Sequence, residues 1–158
     1  TAEDIQWMLD AVPNQHNGLT FCAGSFSAGE HNDCVAMAKQ FADRTHFVHL
    51  RSCHIFPNGN FTEASHLGGR GHLIELCRTF EKAEMEGKCN SGRRLPMRVD
   101  HGMTFTDQPG GVFDESNHGH NAGYTLLGRM FAMGQIQGVL ATVDSELGIE
   151  YKQPGFYD

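Results

Sequence analysis

The chain has 158 residues, 39% hydrophobic and 20% charged, which suits one domain with a buried core and leaves little room for long disordered segments. A formal net charge of −7, with only 12 Lys and Arg, argues against a nucleic-acid surface. No apolar run approaches the ~18 residues of a membrane span, and no charged-then-apolar leader is seen, so neither a membrane nor a nucleic acid is expected as a partner.

The pattern begins with a helix over residues 2–12, where Ile5, Met8, Leu9 and Val12 share a face and Pro13 stops it. Because the chain opens on Thr1 and enters this helix at once, residues 1–158 are read as a single region of a larger architecture. A polar turn precedes a short strand at 19–22, and the Gly/Ser-rich AGSFSAG reads as a loop. The next helix is expected at about 31–43, with Val35, Ala38, Phe41 and Ala42 buried, followed by a β-branched and aromatic strand at 45–52. A long polar loop at 53–71 carries turn signals at Pro57-Asn58-Gly59 and Gly68-Gly69. A helix at about 72–86 buries Leu73, Leu76, Cys77 and Phe80, and a strand spans 95–100. A final helix runs from about Ala122 to Leu147, with Asn121 as its cap.

Strands alternating with helices imply an α/β fold with a parallel sheet and right-handed crossovers. A small doubly wound sheet and part of a (β/α)8 barrel both fit that order. Three strands are narrow for a self-sufficient doubly wound domain, so part of a barrel is the better reading. The five cysteines are odd in number and contain no C-x-x-C pair, so reduced thiols and a cytoplasmic location are expected.

A strand alternates its side chains between two faces. Phe21, Val48, Leu50 and Val99 fall on aliphatic faces, while Cys22, His49 and Asp100 fall on the opposite phase near the C-terminal strand ends. Ligands bind at those ends in parallel α/β proteins. Cys22, His49 and Asp100 are therefore expected to converge, and a thiolate, an imidazole and a carboxylate are competent ligands for a divalent first-row metal. Each also has a plainer reading, as a small core residue, a hydrogen-bonded strand histidine or a strand-end cap.

Around them, His101 could serve as an acid or base, or simply occupy a strand-end turn. Arg51 shares the face of His49 and could grip a carboxylate, either of a substrate or of a nearby Asp or Glu. Glu63 and His66 lie in the long loop on the same side and could close over a substrate. Tyr124 opens the last helix, as a proton donor or as packing. His16, His72, His118 and His120 read as surface or solvated groups, and Gly128, Gly134 and Gly138 as sites of close backbone packing.

The runs GLTFCAGS at 18–25, HFVHLRS at 46–52, RVDHG at 98–102 and NAGYTLLGRMFAMGQIQG at 121–138 closely resemble mannonate dehydratase, the UxuA-type enzyme of hexuronate (glucuronate) breakdown. The resemblance runs over essentially the whole chain but over only the C-terminal two fifths or so of that family. It implies the C-terminal part of a xylose-isomerase-like TIM barrel, with the N-terminal strands absent here. It further implies that Cys22, His49 and Asp100 are metal ligands for Mn²⁺ or Fe²⁺, with one more His ligand on an earlier strand outside this sequence. His101 and Tyr124 match the family's acid/base pair. The implied reaction is dehydration of D-mannonate to 2-dehydro-3-deoxy-D-gluconate, with a sugar acid as the small-molecule partner and a homo-oligomer as the assembly. Competing readings are a metal-dependent sugar isomerase or epimerase on the same barrel, a structural zinc module, and an inactive piece that completes a barrel with an N-terminal partner.

Overall fold

A computed structural model describes residues 1–89, 94–105 and 123–150. His118, His120 and the expected cap Asn121 lie outside the described residues.

Helix α1 (Ala2–Ala11) starts on a reciprocal cap in which the Thr1 side chain accepts from the Asp4 backbone N–H. It buries only Ile5 and Leu9; Met8 and Val12, expected on the same face, are half or more exposed. Strand β1 (Leu19–Cys22) occupies the expected residues. The AGSFSAG segment is not all loop, because Ala23–Ser27 forms a short helix, α2, directly off the strand end. Helix α3 (Cys34–Phe41) is capped by Asp33, whose carboxylate accepts from the N–H groups of Val35 and Ala36. Of the stripe expected here, Ala38, Phe41 and the following Ala42 are buried, while Val35 is only partly so and Cys34 and Met37 complete the buried face. A 3₁₀ turn at Ala42–Arg44 leads into β2 (Thr45–Leu50).

The segment read as a long loop contains an antiparallel hairpin, β3 (Cys53–Ile55) and β4 (Phe61–Glu63), paired with Cys53 opposite Glu63 and Ile55 opposite Phe61. Gly59 turns it with φ +82°, a conformation that glycine adopts without a Cβ clash. Helix α4 (Leu73–Met85) buries the expected Leu73, Leu76, Cys77 and Phe80. Strand β5 (Met97–Val99) is shorter than the expected 95–100, and helix α5 (Leu126–Leu147) begins after Tyr124, with Thr125 at its N-cap.

Strands β1, β2 and β5 make one parallel sheet in that order, with Cys22 opposite His49 and His49 opposite Arg98. Strands alternating with covering helices in this way form part of a (β/α)8 barrel. Phe21 lies at the centre of the packing. Its ring meets Phe26 at 4.8 Å and Phe80 at 5.3 Å, both edge to face, which ties β1 to α2 and α4. Burying each such ring contributes roughly 1.5–3 kcal/mol, so β1 is anchored by its core face while its other face stays free for chemistry. All five cysteines are free, and no helix of the described residues is long and apolar enough to cross a membrane.

Candidate metal centre

Parallel register is what assembles this site. Because β1 and β2 pair with Cys22 opposite His49, and β5 runs two residues past Arg98, the partner of His49, to reach Asp100, three polar side chains leave the C-terminal ends of three neighbouring strands. Ligand atoms of Cys22, His49 and Asp100 all lie within 4.8 Å of one another. Donors bound to a single ion at ~2.0–2.3 Å stand roughly 3–4.5 Å apart, so small side-chain adjustments would let the trio share a cation. The soft thiolate, the imidazole and the hard carboxylate together suit a first-row divalent metal.

The Asp100 carboxylate divides its two oxygens. Oδ1 accepts from the Tyr124 hydroxyl at 2.7 Å and from Arg98 Nη2 at 2.8 Å. Oδ2 faces the centre, 3.7 Å from His49 Nδ1, 3.7 Å from His101 Nε2 and 4.0 Å from Cys22 Sγ. One oxygen is thus held by protein donors while the other is aimed where a ligand atom is needed. Burial pulls the Asp100 carboxyl upward, but the Tyr124 hydroxyl, His101, His49 and Arg98 together outweigh it and hold the group below its usual range. Burial lowers His49, assisted by Arg98 and His101 and opposed by Asp100. That keeps its imidazole in the neutral form that binds metals. The Phe47 ring packs edge-on against His49 at 4.9 Å and limits its rotation.

His101 and Tyr124 flank the carboxylate, their rings 4.5 Å apart and edge to face. Two close backbone approaches fix them. A Cβ on Gly102 would lie 2.3 Å from the backbone of Gly128, and Gly123 has φ +92° with its virtual Cβ 2.9 Å from the His101 side chain. Gly128 therefore does pack closely, as expected, whereas Gly134 and Gly138 have open space around them. Arg129 stacks over the Tyr124 ring at 5.3 Å. The Asp100 hydrogen bond, with burial, pushes the Tyr124 hydroxyl above its ordinary value.

Arg51 and Glu63 come together. The guanidinium forks onto the carboxylate, with Nε 2.9 Å from Oε2 and 3.1 Å from Oε1, and Glu63 Oε1 is also 3.0 Å from His101 Nδ1. Both side chains are largely buried beside the centre. His66 is brought elsewhere. It is 1% exposed, with Nε2 2.9 Å from the Leu50 carbonyl and its backbone N–H donating to Gln135, so it supports the loop from within and does not reach the open rim. Of the other histidines, His16 and His54 are exposed, His46 reaches the Gln15 carbonyl at 2.8 Å, and exposed His72 sits at the start of α4 with φ +47°.

Sequence reasoning did not single out Arg98, although the alternation that selects Asp100 also places Arg98 on the same face. Arg51 grips a carboxylate of the protein, as one of its two expected readings had it, but the identity of that group as Glu63 and its approach to His101 were missed, the only signal being the short alternating runs CHI and FTE around Pro57-Asn58-Gly59.

The sequence model of the D-mannonate dehydratase (UxuA) family matches residues 1–149. Mannonate dehydratase 2 of Agrobacterium fabrum is 38% identical over 149 residues, which cover 93% of this chain and 36% of that protein. The mannonate dehydratase of Saccharophagus degradans is 37% identical over 146 residues, 91% of this chain and 35% of that one. The chain therefore spans about a third of the length of these curated relatives. The crystal structure of mannonate dehydratase from Streptococcus suis serotype 2 superposes with a TM-score of 0.71 at 22% identity, covering 99% of this chain and 43% of that one, which supports the partial barrel.

Proposed function

Because the chain belongs to the D-mannonate dehydratase (UxuA) family, we propose that it carries the metal-binding and acid–base groups of a hydro-lyase. That enzyme would convert D-mannonate to 2-dehydro-3-deoxy-D-gluconate and water in glucuronate breakdown in the cytoplasm. The observation that carries the reading is the convergence of Cys22, His49 and Asp100, with His101 and Tyr124 beside them.

Dehydrating a sugar acid removes a proton from the carbon next to the carboxylate and expels hydroxide from the neighbouring carbon. The enol left behind then becomes the 2-keto product. Cys22, His49 and Asp100 would hold the metal, Mn²⁺ or Fe²⁺, which when bound supplies Lewis-acid stabilisation of charge on substrate oxygens. The first proton is weakly acidic, so a base must stand close to it. Hydroxide leaves poorly, so an acid must protonate it. His101 and Tyr124 divide these two roles from adjoining positions on Asp100. Arg98 steadies Tyr124 at 3.4 Å as well as Asp100. A structural zinc module fits less well, since its closed ligand sets draw on paired Cys and His spacings that this sequence lacks.

Residues 1–158 are read as one region of the barrel domain. Apolar side chains are exposed on α1 (Trp7, Met8) and on the first turns of α5 (Leu126, Leu127, Met130, Phe131). Such faces fit burial against the remaining N-terminal barrel units or a second subunit of a homo-oligomer.

Turnover by the full protein tests the proposal. With Mn²⁺, D-mannonate should yield one 2-keto-3-deoxy acid per substrate consumed. Tyr124→Phe and His101→Ala should each lower kcat by about 10²–10⁴-fold while metal content stays constant. Turnover of a ketose to its isomer, with D-mannonate untouched, would move the assignment to a sugar isomerase.

A further inference from the structure

Among the described residues the hairpin β3–β4 pairs only with itself and not with the three-stranded sheet, yet it ends on Glu63, and Glu63 reaches His101 beside the centre. We propose that Glu63 is a positioning residue: clamped by Arg51, it accepts the Nδ1–H of His101 and so fixes the ring with its Nε2 lone pair turned toward the metal site.

The geometry supports each part. Glu63 Oε1 lies 3.0 Å from His101 Nδ1, while His101 Nε2 lies on the far side of the ring, 3.7 Å from Asp100 Oδ2. A carboxylate can only accept, and Glu63 at 3.0 Å is within hydrogen-bond reach of Nδ1 whereas Asp100 Oδ2 at 3.7 Å is beyond that of Nε2, so a ring with a single N–H carries it on Nδ1. The Arg51 fork holds both Glu63 oxygens, which fixes the direction from which the carboxylate addresses the ring. Arg51 is itself confined. A Cβ on Gly24 would lie 2.3 Å from Arg51 Cδ, so the guanidinium stem lies directly over bare α2 backbone. Phe61, the first residue of β4, puts its ring 5.7 Å from the same guanidinium. Strand end, short helix and hairpin thus all bear on a single imidazole orientation. Arg51 and Glu63 then act on the reaction through His101, and their charges largely cancel each other rather than meeting the substrate.

The inference rests on the dehydratase reading for its kinetic arm and on the fold alone for its spectroscopic arm. In the full protein loaded with diamagnetic Zn²⁺ and labelled with ¹⁵N-histidine, spectra would be recorded about two pH units above the ordinary imidazole pKa of ~6.5. The His101 signals, assigned by their absence in His101→Gln, should show a protonated Nδ1 and an unprotonated Nε2. Glu63→Gln should erase that preference. In Mn²⁺-loaded protein it should lower kcat by about 10–100-fold with KM changed by less than about twofold and metal content unchanged. Glu63→Asp keeps the charge beside Arg51 and so guards against loss of the fold, but it withdraws the acceptor by one methylene and should shift the same signals. A wild-type ring protonated at Nε2 would overturn the proposal, as would unaltered His101 signals in both variants. Expected spectra without D-mannonate turnover would leave Glu63 in this role and reject the dehydratase reading.

Discussion

At the scale of the residue, the site is a set of side chains whose second atoms are already engaged. Asp100 gives Oδ1 to Tyr124 and Arg98, and His101 turns Nδ1 to Glu63, so that Asp100 Oδ2 and His101 Nε2 stand 3.7 Å apart beside Cys22 and His49. Gly24 shows how little slack this leaves. Gly24→Ala would set a methyl 2.3 Å from Arg51 Cδ, a clash with the stem of the side chain and not with its mobile tip. Arg51 must then swing off Glu63. The expected result is a stability loss of about 1–3 kcal/mol in urea unfolding, together with a fall in kcat resembling that of Glu63→Gln. Unchanged kcat would show that Arg51 has room to spare. The convergence of Cys22, His49 and Asp100 was legible in the sequence because strand alternation sends all three to one face near their strand ends. Glu63 as the partner of Arg51 and His101 was not legible, because it depends on three-residue strands too short to show a period and on a register set by the turn at Gly59.

At the scale of the element, the helices reported their core faces with uneven clarity. Helix α4 is amphipathic, and its expected buried residues are the observed ones. Helix α5 is apolar nearly all round, so periodicity could not say which side meets the sheet, and the glycines at 134 and 138 proved to lie in open space. Where α5 meets α4, two acids come together. Asp144 on α5 is 6% exposed, and Glu81 on α4 has its carboxyl pushed up to about 7 by burial first and then by Asp144 and Glu84, with Arg94 opposing. A carboxyl raised in the folded state favours folding while protonated. Its contribution is complete below about pH 4.5, the ordinary glutamate value, and is lost as pH rises through about 7. Glu81→Gln should therefore stabilise the protein at pH 8 by on the order of 1 kcal/mol, solvent screening included, and by much less at pH 5. Urea titrations of both forms at the two pH values measure this. An equal effect at both would mean that Glu81 does not titrate in that window.

At the scale of the whole molecule, three βα units form a sector of a barrel whose strand ends bring Cys22, His49 and Asp100 together. The order of the three sheet strands and their covering helices was legible because turn residues bound those strands and α1, α3 and α4 carry a 3.6-residue stripe, whereas α2 and the β3–β4 hairpin were too short to show a period. How much apolar surface the sector leaves uncovered was not, since exposed Trp7 and Leu126, at 72% and 74%, fall in patterns that read locally as ordinary helix. That surface matches a chain spanning about a third of its curated relatives. The proposed function requires the sector to act as a unit, with separate strands in parallel register holding one cation between them. Crystals of the full protein grown with Mn²⁺ and measured at the manganese absorption edge test it most directly. One anomalous peak is expected, roughly 2–2.5 Å from Cys22 Sγ, a His49 ring nitrogen and Asp100 Oδ2. A peak bound by other residues, with those three atoms turned away from it, would rule out a shared cation at these strand ends.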